Sequence, residues 1–259
     1  MLEVFELSKL PGFILIFARV IGFFLTIPVF SYRNLPRTHK LGFAIFLSWI
    51  MFYTVDIPVF LLNGQFILLI LKELIVGILI GLIAFIILGA IQIAGGFIDF
   101  QMGFAIANVM DPQTGIQSPL IGQFLYTITL LFLITVDAHH LLLDGIFYSY
   151  QYIEIDQMVP FQNDSIVQFV MESFSQMFLI AFQMSIPIVG CLFLVDVALG
   201  IVARTVPQLN VFVVGLPLKI FVSFVVIFVF LGIYVTLIQQ LFETILNAMR
   251  GLMSLFGGA

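Results

Sequence analysis

Apolar residues run along this chain in six long stretches, at roughly 12–30, 41–62, 74–98, 120–143, 174–203 and 211–242. About 20 mostly apolar residues let a helix cross the hydrocarbon core of a bilayer, so each stretch predicts a membrane-length helix. Most separators are short polar clusters. Two are longer: 99–119, and the acidic 144–172. The third stretch carries Gly77 and Gly81 at i and i+4, with Ala84 nearby. Small residues at that spacing let helix backbones approach closely, although glycine is also common in plain lipid-facing helices.

The stretches are interrupted in a telling way. Arg19, Asp137, Asp196 and Lys219 fall within them or at their edges, as do Pro28, Pro58, Pro187 and Pro217. A charge at a helix centre costs about 2.5–3.5 kcal/mol on insertion, against a gain of roughly 0.3–0.6 per large apolar residue. Prolines free backbone groups that lipid cannot satisfy. Some of these helices must therefore bury a face against protein or a watery path, and the chain is expected to work with partners.

Composition then fixes the class. The 259 residues are 62% hydrophobic and only 9% charged, with mean hydropathy +1.23. Soluble domains carry about 25% charged residues, so this is an integral membrane protein. The lone tryptophan, Trp49, lies inside an apolar stretch, and the single cysteine, Cys191, excludes an intrachain disulfide. The net charge of −5 is scattered, without a basic tract for nucleic acid. Glu3 and Glu6 precede Lys9, the wrong sign for a signal peptide, so the N-terminus is expected to be retained. Arg33, Arg37 and Lys40 crowd the first connection, and Arg204 marks the fifth. The fourth holds Asp144, Glu154, Asp156, Asp164 and Glu172 without a base. Positive charge favours the cytoplasm, so the first and fifth connections are expected inside and the fourth outside.

Candidate chemistry is sparse. On an unbroken helix Asp137, His140 and Asp144 share a face while His139 points about 100° away. That leaves one well-placed histidine, too few ligands for zinc, and the cluster reads as a polar helix end near the outer surface. No HExxH, nucleophile elbow, Walker loop or dinucleotide fingerprint occurs. No catalytic, cofactor-binding or metal site is expected.

Two segments stand out. The loop at about 103–118 contains the helix breakers Asp111, Pro112 and Gly115. Around them lie Met102, Gly103, Phe104, Ile106, Asn108, Val109, Met110 and Ile116, most of them soft and apolar. Such a loop suits a plug that seals a pore and deforms, because methionine re-packs easily; taken alone, the residues fit an ordinary connection equally well. The second segment, 204–219, reads as a shaped helix–loop–helix corner. It holds Arg204, Pro207, Gln208 and Asn210, then Pro217 and Lys219 at the start of the next apolar run.

Taken together, the chain resembles the FliR family of flagellar export-gate proteins, whose relatives in virulence type III secretion are called SctT. The likeness runs nearly end to end. It rests on Arg19 with Pro28, the basic first connection, and Lys72 with Glu73 ahead of the glycine-bearing helix. It continues through Asp99, Met102, Gly103, Asp111, Pro112 and Pro119, and the histidine-bearing stretch after Phe132. Its most specific part is Asp196, Gly200, Arg204, Pro207, Gln208, Leu209, Asn210, Gly215, Pro217 and Lys219.

The resemblance implies an all-α membrane protein of about six long apolar helices packed as tilted hairpins, with part of the assembly above the bilayer plane. It implies a FliP-like part over 1–165 and a FliQ-like hairpin over 166–259, turning at the 204–210 corner. It also implies that the 103–118 loop plugs a channel. The function implied is that of a non-enzymatic export-gate subunit, passing unfolded flagellar proteins across the bacterial inner membrane at the flagellar basal body. FliP and FliQ are the implied partners within the gate, with FlhB and FlhA beside it and the corner contacting FliQ and FlhB; no cofactor is implied. Virulence secretion is the alternative. A small-solute transporter using Asp137, Asp196 and Arg19 is a more distant one, and it predicts an internal repeat that the sequence does not display.

Overall fold

The structure, a computed structural model, describes residues 9–28, 30, 36–58, 60, 62–104, 119–159, 164–208 and 210–257. These residues form helices and connecting turns, with no strand among them. The helices are α1 (Leu10–Thr26), α2 (Arg37–Thr54), α3 (Gly64–Leu88), α4 (Ala90–Met102), α5 (Leu120–Thr135), α6 (Ala138–Tyr152), α7 (Asp164–Thr205) and α8 (Val211–Gly257).

Local chemistry sets several ends. Pro11 stands in the first turn of α1, where its missing N–H costs nothing. Asn63 caps α3, its Oδ1 accepting the Phe66 N–H at 3.2 Å. Gly103, at φ 89°, ends α4. The Gly103 N–H reaches the Phe100 carbonyl at 3.2 Å and the Phe104 N–H reaches that of Asp99 at 3.0 Å, the paired bonds of a Schellman stop. Asp137, at φ 55°, separates α5 from α6.

Among the described residues each predicted apolar stretch contains helix, but the second is helical only to Thr54 and the fourth is broken at Asp137. Three helical segments have the length and hydropathy to cross a membrane: Gly64–Met102, Asp164–Thr205 and Val211–Gly257. Leu120–Thr135 with Ala138–Tyr152 makes a fourth if the bent pair counts as one. At 1.5 Å per residue, α7 with 42 residues and α8 with 47 reach about 63 and 70 Å, roughly twice a hydrocarbon core. The acidic 144–172 separator is largely helix as well. α6 buries Leu142, Gly145, Ile146, Ser149 and Tyr150, the i, i+3, i+4 spacing of a helix with one packed face.

The chain clusters into two compact units made of non-contiguous segments. Unit 1 comprises Met1–Ile87, Ile134–Phe174 and Glu243–Ala259; unit 2 comprises Leu88–Leu133 and Ser175–Phe242. In unit 1, α1 and α3 cross in close contact. A Cβ on Gly77 would fall on the Arg19 carbonyl, and one on Gly81 on Thr26 Oγ1 and the Phe23 carbonyl. Leu15, Ile16, Val20, Phe23, Val76 and Ile80 are buried about that crossing. Phe13 meets Trp49 and Phe52 of α2 edge-on, with both ring centroids at 6.0 Å. In unit 2, α4 meets α5 just as closely, Gly95 lying on the Gly122 backbone. The exposed surface of α8 is strongly apolar: Phe212 is 90% and Phe228 80% exposed. Such a face needs lipid or protein against it.

Candidate functional site

Unit 2 brings the stem of the long loop beside the helical corner. The Asp99 carboxylate, near the end of α4, accepts the Ile121 N–H at 3.2 Å. An acid there satisfies one of the orphan donors at the start of α5 and suits its positive end. With Gly95 against Gly122, this contact ties the chain leaving α4 to the chain entering α5. The loop is thereby closed at its base.

The stem is also tied to α7 and α8. Gln101 Nε2 donates to Asp196 Oδ2 at 2.8 Å, and the other Asp196 oxygen pairs with Lys219. A Cβ on Gly103 would meet Leu216 Cδ1 at 3.3 Å. Asp196 and Lys219, two charges placed in apolar runs, thus neutralise each other. Gln101 takes the remaining carboxylate oxygen. Asp196 and Gln101 are both partly buried, which strengthens the pairing relative to open water.

The corner residues have local roles. Arg204 sits in the last turn of α7, where a cation complements the carbonyl end. Asn210 caps α8, its Oδ1 accepting the Phe212 N–H at 3.2 Å and the Val213 N–H at 3.4 Å. Arg204, Pro207, Gln208 and Asn210 are exposed. Pro217 lies inside α8, beyond its first turn. Of the loop residues, Met102 is buried and Gly103 and Phe104 are partly exposed. Ile106, Asn108, Val109, Met110, Asp111, Pro112, Gly115 and Ile116 lie outside the described residues.

Unit 1 holds a second polar constellation, closed to solvent. Arg19 grips Glu73 through Nε and Nη2, the latter bond at 2.9 Å. Its Nη1 donates to Ser149 Oγ at 3.0 Å, its Nη2 also to the Ile153 carbonyl at 3.0 Å, and its Cζ lies 3.8 Å over the Tyr150 ring. Lys72 Nζ pairs with Glu73 Oε1 at 2.6 Å and donates to the carbonyls of Glu154 and Ile155 at 3.0 Å each. Two cations face one carboxylate here. The excess positive charge points at the carbonyl end of α6, the negative pole of that helix. Sequence reasoning flagged Arg19 as unfit for lipid and noted Lys72 with Glu73, but missed that they are partners. The available signal was charge balance: an arginine in one apolar stretch demands an acid in another.

The helix-face reading of the histidines needs correction. Asp137 is not in α6 but precedes it, in the left-handed region. With the helix broken there, ligand atoms of Asp137, His139 and His140 all lie within 4.8 Å of one another.

A family model described as bacterial export proteins, family 1, matches residues 10–245 of the chain. The flagellar biosynthetic protein FliR of Bacillus subtilis (strain 168) is 57% identical over 249 residues, covering 95% of this chain and 96% of that protein. Its counterpart in Escherichia coli (strain K12) is 25% identical over 239 residues, 91% of this chain and 90% of that one. The Yop proteins translocation protein T of Yersinia pestis is 34% identical over 152 residues, 59% of this chain and 58% of that protein.

Proposed function

This chain belongs to the FliR family of bacterial export proteins, and from that premise we propose that it is a membrane-embedded subunit of the flagellar type III export gate. The observation that carries the reading is the match to a flagellar relative along almost the whole length of both proteins. In this reading the chain joins FliP and FliQ in a hetero-oligomeric channel in the inner membrane, at the flagellar basal body, with FlhB and FlhA alongside. Unfolded flagellar proteins pass through that channel. The bare apolar faces of α7 and α8 fit helices that complete their packing on neighbouring subunits. The exposed corner of Arg204, Pro207, Gln208 and Asn210 is the contact offered to FliQ and FlhB. In this reading residues 1–165 are built like FliP and 166–259 form a FliQ-like hairpin.

We infer a structural rather than catalytic role from membership of a family whose flagellar relatives are biosynthetic components of export. Virulence secretion is the second reading, favoured by the Yersinia relative but over little more than half the chain.

Within the gate, the 103–118 loop acts as the plug. Supporting this is the stem before it, where Asp99 accepts the Ile121 N–H and Gln101 is tied to Asp196 and Lys219. Removing 106–115 is expected to leave the complex assembled but make cells expressing it leaky to ions, measured as conductance or small-solute uptake. An assembled gate as tight as the parent would move the seal elsewhere.

A further inference from the structure

We propose that Asp137, His139 and His140 form a binding site for a divalent transition-metal ion of the zinc class. Two imidazoles and one carboxylate are a donor set such ions accept, with a fourth position left for water or a partner's ligand. Their ligand atoms lie within 4.8 Å of one another. Tetrahedral ligands bound at about 2.0–2.1 Å lie about 3.4 Å apart, so side-chain rotations that draw the three groups together by up to about 1.4 Å close the set.

Two further observations point to a metal ligand role. His139 Nδ1 is shut off from solvent and has no hydrogen-bond partner among the described residues. A buried ring nitrogen left so is costly, and metal coordination is one way to satisfy it. The His139 and His140 rings also stand only 4.2 Å apart, centroid to centroid. At that distance one ion can lie within reach of a nitrogen from each ring.

The backbone makes the convergence possible. Asp137 adopts φ 55°, a region that aspartate enters more readily than most residues. The Asp137 carbonyl then accepts the His140 N–H at 3.0 Å, so acid and histidines share one turn. On an unbroken helix His139 would diverge from the other two. Asp137 and His140 are exposed, which leaves an ion a way in.

The test uses the purified assembled complex containing the full chain, carried on a tag free of histidine and stripped with chelator. It is titrated with Co²⁺, whose absorption reports nitrogen and oxygen ligation, and then challenged with Zn²⁺. Expected is one saturable Co²⁺ per chain, displaced by Zn²⁺, and absent from a His139→Ala/His140→Ala variant. Asp137→Asn, a near-isosteric change, should weaken Co²⁺ binding at least about tenfold, and His39→Ala should leave it unchanged. Parent complex with no saturable Co²⁺ overturns the proposal without recourse to any variant. Binding that survives in the double variant, or is lost equally in His39→Ala, overturns it as well.

Discussion

Arg19 makes four hydrogen bonds and a ring contact in a place closed to water. Removing one partner of such a set strands the others, and breaking a buried pair costs about 3–5 kcal/mol. Arg19→Ala is therefore expected to lower sharply the melting temperature of the detergent-solubilised complex. Arg19→Lys should recover only part, because an ammonium cannot supply the planar fork that meets both Glu73 oxygens. A melting temperature unchanged in Arg19→Ala would contradict this account of unit 1. At this scale the sequence was half legible. Arg19, Asp196 and Lys219 were readable as charges that lipid would not accept, since insertion costs are local. Their partners were not, because Glu73 lies 54 positions from Arg19 and Gln101 lies 95 from Asp196. The break at Asp137 carried no glycine or proline to announce it, so helical-face arithmetic was applied across a turn where it does not hold.

The helices were legible in kind but not in extent. Apolar windows find the middle of a helix. They cannot see that α7 starts among the acids at Asp164, or that α6 runs through Ser149 and Tyr150, whose polar atoms are buried. The sequence put the helix breaks at Asp111, Pro112 and Gly115 and missed both the Schellman stop at Gly103 and Asp99 reaching across to the start of α5. The pairing of α1 with α3 gives a sharp contrast between two glycines. A side chain at Gly77 would strike the α1 backbone, while at Gly190, in the middle of α7, nothing lies within 4 Å. Gly77→Ala is expected to destabilise the complex by about 1–3 kcal/mol through forced separation of the helices. Gly190→Ala should be neutral, or stabilising by up to about 1 kcal/mol, unless a partner helix packs there. Thermal unfolding of the two purified variants checks the pair; equal losses would show that the close α1–α3 approach carries no special weight.

For the whole molecule, composition alone placed the chain in a membrane, and the spaced motifs from Arg19 to Lys219 placed it in its family. What composition could not convey is how much apolar helix surface stays open. The most apolar window of α7 is 11% buried and that of α8 is 17%, against 61% for Gly64–Met102. An open surface of that kind is what a subunit keeps for lipid and neighbours, whereas a self-contained transporter would bury more of it around a substrate. A subunit of the export gate, as proposed for this chain, is required for flagellar protein export. The most direct measurement is secretion of hook and filament subunits into the medium by a strain carrying a clean deletion of its gene, with and without the gene restored. Export should be lost, with cells bare of filaments and non-motile, and should return with the intact chain. Normal flagellin secretion from the deletion strain would contradict the account.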